Sequence, residues 1–316
     1  MAIHSIGIIG AGVIGSSWAA FYASKGLHVK LYDIDPAFCR EGRQRAREYI
    51  GILENGGLIN KRAAAEALSL IKTVGDLEEA GRDVGMIQEC VAEKYEVKHQ
   101  VFEQLDAVTD MKVILASSSS GLLMTEIQKV TRHPERCVIA HPFNPPHLIP
   151  LVEVVPGEQT SDKTVLEMKA FLEGVGKIPV VLKKEAFGHV ANRLAWALWR
   201  EAIDIVWKGI ASVEDVDKAL YAGLGLRWAF MGQHLIYHLN GGDGGMEAFF
   251  KHLGPACEEA WQGMDTWTTF PLEAKEALIE GIEAETGGRS VGELAKWRDE
   301  KLVQLIKTLY PQEGVS

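Results

Sequence analysis

The chain is short of cysteine, of positive charge and of long apolar runs. Its 316 residues hold four cysteines, Cys39, Cys90, Cys137 and Cys257, far apart and with no Cys-x-x-Cys pair. Such spacing offers neither a disulfide framework nor a zinc site, and no metal is expected. Against 43 Asp and Glu stand 33 Lys and Arg, a net charge of −10. So little cation leaves no basic face for nucleic acid or an anionic membrane, and a fully anionic small substrate would need local cations. No apolar run approaches the length of a membrane span. The apolar N-terminal stretch lacks a basic leader and is broken by glycines, so it does not read as a signal peptide. Low-complexity tracts are missing as well. With 47% apolar and 24% charged residues, the composition is that of a soluble enzyme, expected in the cytoplasm. The length allows two domains of ordinary size.

What is present begins with a glycine turn. Ile6-Gly7-Ile8-Ile9 predicts a short buried strand, followed by Gly10-Ala-Gly12-Val13-Ile14-Gly15, a helix over 16–25, and a second strand from Val29 to Tyr32 ending at Asp33. Strand, glycine turn, helix, strand and terminal acid are the context in which G-x-G-x-x-G binds a dinucleotide. Gly10 permits the turn, Gly12 lets the backbone approach a pyrophosphate, and Gly15 lets the helix pack closely on the strand. Val13 and Ile14 open the helix, whose free N–H groups and partial positive charge favour phosphate. Asp33 would accept hydrogen bonds from both hydroxyls of an adenosine ribose and repel a 2′-phosphate. Ile34 and Asp35 supply no cation to hold one, so NAD is expected rather than NADP.

Further along, Pro36 to Lys72 is helical and highly charged, with a break at Asn55-Gly56-Gly57. Its cations, Arg40, Arg43, Arg45, Arg47, Lys61 and Arg62, read as solvated helix faces; the alternative is contact with the phosphates of a CoA-like substrate. Strand patterns at 71–74, 84–87 and 113–116 alternate with helical ones, which implies a mostly parallel, doubly wound sheet with ligands at the carboxyl ends of its strands. Ser117-Ser118-Ser119-Ser120-Gly121 follows one such end. It is either an ordinary polar loop or a source of Ser120 as a donor to substrate oxygen. Val138-Ile139-Ala140 leads to His141 and Pro142, and the apolar strand 148–155 carries one acid, Glu153. A carboxylate within an apolar strand needs a partner. A histidine steadied by a carboxylate is what a general base requires; a structural pair tying two strands together fits equally well. His133 and His147, in turn-like sequence, read as surface residues.

Together these residues carry a family likeness. The glycine turn, Glu93 with Lys98, Ser117 to Ser120, His141-Pro-Phe-Asn-Pro145, Leu151-Val-Glu-Val154 and Gly188-x-x-x-Asn192-Arg193 resemble the 3-hydroxyacyl-CoA dehydrogenase superfamily from about Ile6 to the C-terminus. The resemblance implies a catalytic His141–Glu153 dyad, with Ser120 and Asn192 on the reacting oxygen of a 3-hydroxy acid. It also implies Glu93 and Lys98 beside ribose and nicotinamide, and Ser118 and Asn144 among the cofactor contacts. One stretch departs: the family usually has Pro-Gly-Phe where this chain has Phe187-Gly188-His189, which opens the substrate pocket to His189. Gly188 and Phe143 are expected to line that pocket. The segments Gly225 to Gly232 and Asn240 to Met246 look more like the branches acting on small substrates. Ala197 to Ala202, Trp228, the 241–246 loop and Gly254-Pro-Ala256 are similar to the carnitine branch. Trp297-Arg-Asp-Glu300 is similar to the gulonate branch, which includes the lens protein λ-crystallin. Carnitine is the leading substrate, with gulonate and a short 3-hydroxyacyl-CoA behind it and a non-catalytic crystallin-like role as the alternative of another class.

The expected domains are an NAD-binding Rossmann domain over 1–187 and an all-helical substrate and dimerisation domain over 188–316. Apolar positions 194, 195, 198, 202, 205 and 206 form a helical stripe. Ser212 caps the next helix, and Ser290-Val-Gly-Glu293 opens the last with a capping box. Apolar stripes here predict a homodimer. Aromatics are dense, from Trp196 to Phe270, and read mostly as core. Trp228, Tyr237 and Phe249 are the candidates to surround a quaternary ammonium, at ~0.5–2 kcal/mol each, and Arg227 to bind a carboxylate bidentately.

Overall fold

Short apolar segments form an eight-stranded sheet in the computed structural model, which describes residues 3–310. The strands are β1 (Ser5–Ile9), β2 (His28–Tyr32), β3 (Ile71–Thr73), β4 (Met86–Glu89), β5 (Ile114–Ser117), β6 (Cys137–Pro142), β7 (Leu151–Pro156) and β8 (Ile178–Val181). Their order is β3-β2-β1-β4-β5-β6-β7-β8. Pairing is parallel except between β6 and β7, where His141 lies directly opposite Glu153. Alternate residues of the central strands feed two cores. Ile6 and Ile8 join Trp18 and Tyr22 on one face, while Ile9, Ile87 and Leu115 join Phe102 and Leu105 on the other. Each large apolar side chain so buried contributes roughly 1.5–3 kcal/mol. The order reverses between β1 and β4, and the crevice at such a reversal is where this class of sheet binds ligands.

Helices connect the strands: α1 (Val13–Ser24), α2 (Pro36–Asn55), α3 (Lys61–Leu70), α4 (Leu77–Gly81), α5 (Tyr95–Val108), α6 (Met124–Ile127) and α7 (Asp162–Gly174). Asp35 accepts from Ala37 N with Pro36 in the first helical position, which explains the start of α2. After β8 the described chain is helical: α8 (Ala191–Trp207), α9 (Val213–Lys218), α10 (Gly225–Trp228), α11 (Gln233–Asn240), α12 (Gly245–His252), α13 (Gly254–Gln262), α14 (Leu272–Thr286) and α15 (Val291–Leu309). Ser212 accepts from Asp215 N, and Ser290 and Glu293 exchange reciprocal hydrogen bonds. Two compact units result. One runs to Arg193 and takes the chain back at Arg298; the other is Leu194–Trp297. Among the described residues no helix is long and apolar enough to cross a membrane.

Three expectations are corrected. His147 is buried at 4% exposure, its ring stacked 4.4 Å from that of Tyr49 and hydrogen-bonded to Ser17, because the loop after β6 folds back onto α1. Arg45 turns inward, Nη2 donating to Ala11 O at 2.7 Å, so it braces the glycine turn instead of facing solvent. Most aromatics of the helical unit, among them Trp199, Phe230, Phe250 and Trp261, are exposed on the single chain; this small unit has more aromatic surface than its own interior takes up.

Candidate active site

At the carboxyl end of β1 the three glycines meet different constraints. Gly10 has φ +98°, and a Cβ there would lie 2.6 Å from Cys90 O. A Cβ on Gly15 would lie 1.9 Å from Gly10 O, so α1 approaches β1 as closely as it does only because Gly15 has none. Around Gly12, by contrast, nothing lies within 4 Å of where a Cβ would stand. The fold itself does not require glycine there, and the position is open to a close-lying pyrophosphate. Asp33, at the end of β2, accepts from Ala11 N at 2.8 Å and from Asp35 N at 3.2 Å, which fixes its carboxylate beside the turn. An open glycine at a helix N-terminus and a fixed acid fit a dinucleotide with an unphosphorylated ribose. Val13 is exposed and Ile14 half-buried at the same helix end.

A buried ion network organises the serine loop. Lys98 of α5, 1% exposed, pairs with Glu89 at 2.8 Å and Glu93 at 3.3 Å. Burial works against its charge, but the two carboxylates outweigh it and raise its pKa. Glu93 then gathers the loop: Oε1 accepts from Ser119 Oγ at 2.7 Å, Ser120 N at 2.9 Å and Gly121 N at 3.1 Å. Burial opposes this carboxylate too, yet Lys98 and the donated hydrogen bonds hold its pKa below the usual range. Ser117 Oγ donates to Glu89 Oε2 at 2.5 Å, and Ser118 Oγ accepts from Gln88 Nε2 at 2.8 Å. Lys98 thus lies buried between Glu89 and Glu93. Glu89 and Gln88 received no role from sequence; a polar pair closing the apolar strand β4 was the available signal.

His141 ends in the same region. Its Nδ1 lies 2.9 Å from Glu153 Oε2. The other oxygen, Oε1, accepts from Val190 N at 2.8 Å and Ala191 N at 2.9 Å, the free donors at the start of α8. Burial would raise the Glu153 pKa, but the hydrogen bonds from His141 and from the two amides lower it. An ionised carboxylate only accepts, so Nδ1 carries a proton, and in the neutral ring it is Nε2 that keeps the lone pair. Among the described residues Nε2 makes no hydrogen bond. Chemically, this is an oriented imidazole able to take one proton at Nε2 and be stabilised as its cation.

Ser120 is exposed, with its carbonyl accepting from Asn192 Nδ2 at 3.3 Å, so these two expected oxygen-binding residues come together. Phe143 sets its ring 5.5 Å from that of His141, edge to face, and Asn144 is exposed beside it. Gly188 and His189 have φ +76° and +52°, a left-handed turn that delivers the α8 amides to Glu153. His189 is buried, its ring 5.2 Å from that of His141, and Nε2 donates to Ser119 O at 3.1 Å. Burial first, and His141 nearby, keep its pKa below the usual value. In the helical unit, Trp228 donates to Gln233 at 2.6 Å and Arg227 is exposed. Phe249 is buried, stacked 4.7 Å from Tyr237; it serves as core behind that ring, not as an open aromatic face. Among the described residues no cluster of His, Cys, Asp and Glu could hold a metal ion.

Known proteins match this chain along nearly its whole length. The family profile described as 3-hydroxyacyl-CoA dehydrogenase, NAD binding domain, matches residues 5–186, and the one described as 3-hydroxyacyl-CoA dehydrogenase, C-terminal domain, matches residues 188–273. The chain is 40% identical to an L-carnitine dehydrogenase of Oceanobacillus iheyensis, over 96% of this chain and 97% of that protein. It is 37% identical to an L-carnitine dehydrogenase of Streptomyces coelicolor, over 98% and 97%. Among solved structures, an NAD+-dependent dismutase, 5-formyl-3-hydroxy-2-methylpyridine 4-carboxylic acid 5-dehydrogenase, superposes with TM-score 0.81 at 27% identity, covering 99% of this chain and 100% of that one. A (S)-3-hydroxybutyryl-CoA dehydrogenase from Ralstonia eutropha gives 0.66 at 26% identity, covering 90% and 95%.

Proposed function

The chain belongs to the 3-hydroxyacyl-CoA dehydrogenase family, and on that footing we propose that it oxidises the 3-hydroxyl of L-carnitine to the 3-keto acid. It is an NAD-dependent oxidoreductase acting on a CH–OH group. Gly10, Gly12, Val13, Ile14, Gly15 and Asp33 hold the cofactor, with Glu93, Ser118 and Asn144 near its nicotinamide half and Lys98 behind Glu93. Bound NAD supplies the acceptor for the hydride that leaves the carbinol carbon. His141 Nε2 takes the hydroxyl proton as that hydride departs, and Glu153 stabilises the imidazolium. Ser120 and Asn192 hold the oxygen. The reading rests on one observation: His141 and Glu153 lie 2.9 Å apart, with the carboxylate anchored on α8.

Carnitine as the substrate is supported by relatives of that activity at 37–40% identity over nearly the full length. In the helical unit, Arg227 and the Trp228 and Tyr237 rings offer the chemistry that a carboxylate and a trimethylammonium require. We assign cofactor binding to 1–187, and substrate specificity and homodimerisation to 188–316, in a cytoplasmic enzyme. Initial rates of NADH formation with L-carnitine, L-gulonate and 3-hydroxybutyryl-CoA test the substrate. Carnitine should give the highest kcat/KM, and NADP in place of NAD should slow it at least about tenfold, since Asp33 repels the 2′-phosphate. Turnover of gulonate without turnover of carnitine would assign the chain to the other branch.

A further inference from the structure

Away from the glycine turn and His141, a cavity of about 110 Å³ is lined by the C-terminal turn of α1, Leu53 of α2 with Leu58 and Ile59 after it, the loop 147–150, the residues entering β8 and the end of α15. Among the described residues it brings together Lys25, Lys177 and His147 and no acid. Lys177 is 4% exposed, and its ammonium donates to the carbonyls of Pro146 and Ile149, which leaves one of its three N–H groups unspent. Lys25 shares the aromatic surface of Phe21 with it: the two nitrogens lie 5.7 and 3.9 Å from that ring's centroid. Neither lysine forms an ion pair with any described residue, although the chain carries ten more acids than bases.

The third donor follows from a tautomer. Ser17 Oγ accepts from His147 N at 2.9 Å, and the one acceptor for its own proton among the described residues is Nδ1 of the same residue at 2.8 Å. That places the ring proton on Nε2, a buried atom with no partner. Among the described residues, every charged or titratable group lining this space is a cation or a donor: Lys25 after α1, His147 from the loop, Lys177 before β8, and Tyr310 after α15, with Arg298 of α15 acting on His147. Burying an ammonium without a counter-ion is costly. The cost is visible in Lys177, whose pKa is pushed down to about 7 by burial and by Lys25.

We propose that this cavity is a binding site for a small oxyanion, a carboxylate or a phosphate, held by Lys25 and Lys177 with the His147 ring in its wall. The site is separate from the dehydrogenase chemistry and does not rest on it. Titration calorimetry of the full-length protein with sodium phosphate and, separately, sodium acetate tests it. One saturable site per chain is expected. The affinity should fall at least about tenfold between about pH 6 and about pH 9, as Lys177 loses its proton. At about pH 7.5 the heat should depend on the ionisation enthalpy of the buffer, because binding draws a proton onto Lys177. The tighter of the two ions identifies the ligand class. Lys25→Met, at an exposed position that leaves the fold intact, should weaken binding at least about tenfold, and the ring Nε2 resonance of His147 should shift on saturation. No saturable binding of either ion, or unchanged affinity in Lys25→Met, would overturn the assignment.

Discussion

The two oxygens of Glu153 are used differently. Oε2 holds the His141 tautomer, while Oε1 collects the first amides of α8. Glu153→Gln can keep one of these roles but not both. An amide that still accepts the two helix N–H groups presents its NH2 to Nδ1, and the imidazole must then reverse its tautomer. The expected result is a loss in kcat of about 10²–10⁴-fold, with the Kd for NADH within about twofold of wild type. A fall in cofactor affinity of the same size would instead mean that the carboxylate shapes the cofactor crevice. The acid also carries a pH signature. Its folded pKa lies below its unfolded value, so its stabilisation is complete above about pH 4.5 and is lost as pH falls through the folded pKa. Urea midpoints of wild type and Glu153→Gln should therefore converge as the pH is lowered below about 4.5; parallel curves would contradict the assignment.

At the scale of elements, the glycine turn separates folding from binding. Gly12→Ala meets no described atom within 4 Å, whereas Gly15→Ala drives a Cβ to 1.9 Å from Gly10 O. The first should leave the melting temperature within about 2 °C while weakening NADH at least about tenfold. The second should lower the melting temperature by several degrees, of the order set by overpacking at about 1–3 kcal/mol. Equal effects of both on melting would show that the turn is not built as described. Lys98→Met removes the cation paired with Glu89, which is buried at 0% exposure; denaturant unfolding should register a loss of about 3–5 kcal/mol. The strand–turn–helix unit and the Asp33 terminus were legible from the sequence because they are local, set by glycine spacing and apolar period. The closeness of His141 and Glu153 was only half legible. Twelve residues apart, they meet because β6 and β7 are antiparallel, which no spacing states. The roles of Glu89, Lys177 and His147 were invisible, since each depends on how the chain folds back on itself rather than on local pattern.

For the whole molecule, the exposed apolar side chains of the helical unit, among them Leu194, Trp199, Phe230 and Trp261, predict a second copy. Large contiguous exposed apolar patches mark interaction sites. Sedimentation equilibrium should return the mass of two chains, and Trp199→Glu should shift it toward one; a wild-type monomer would contradict the expectation. The central claim concerns the base. The most direct test is a single-turnover measurement of NADH absorbance, with excess enzyme, L-carnitine and NAD, for wild type and His141→Asn. A His141→Asn rate lower by at least about 10²-fold, at unchanged NADH affinity, is the result this account predicts. NADH formation at the wild-type rate without the imidazole would contradict it.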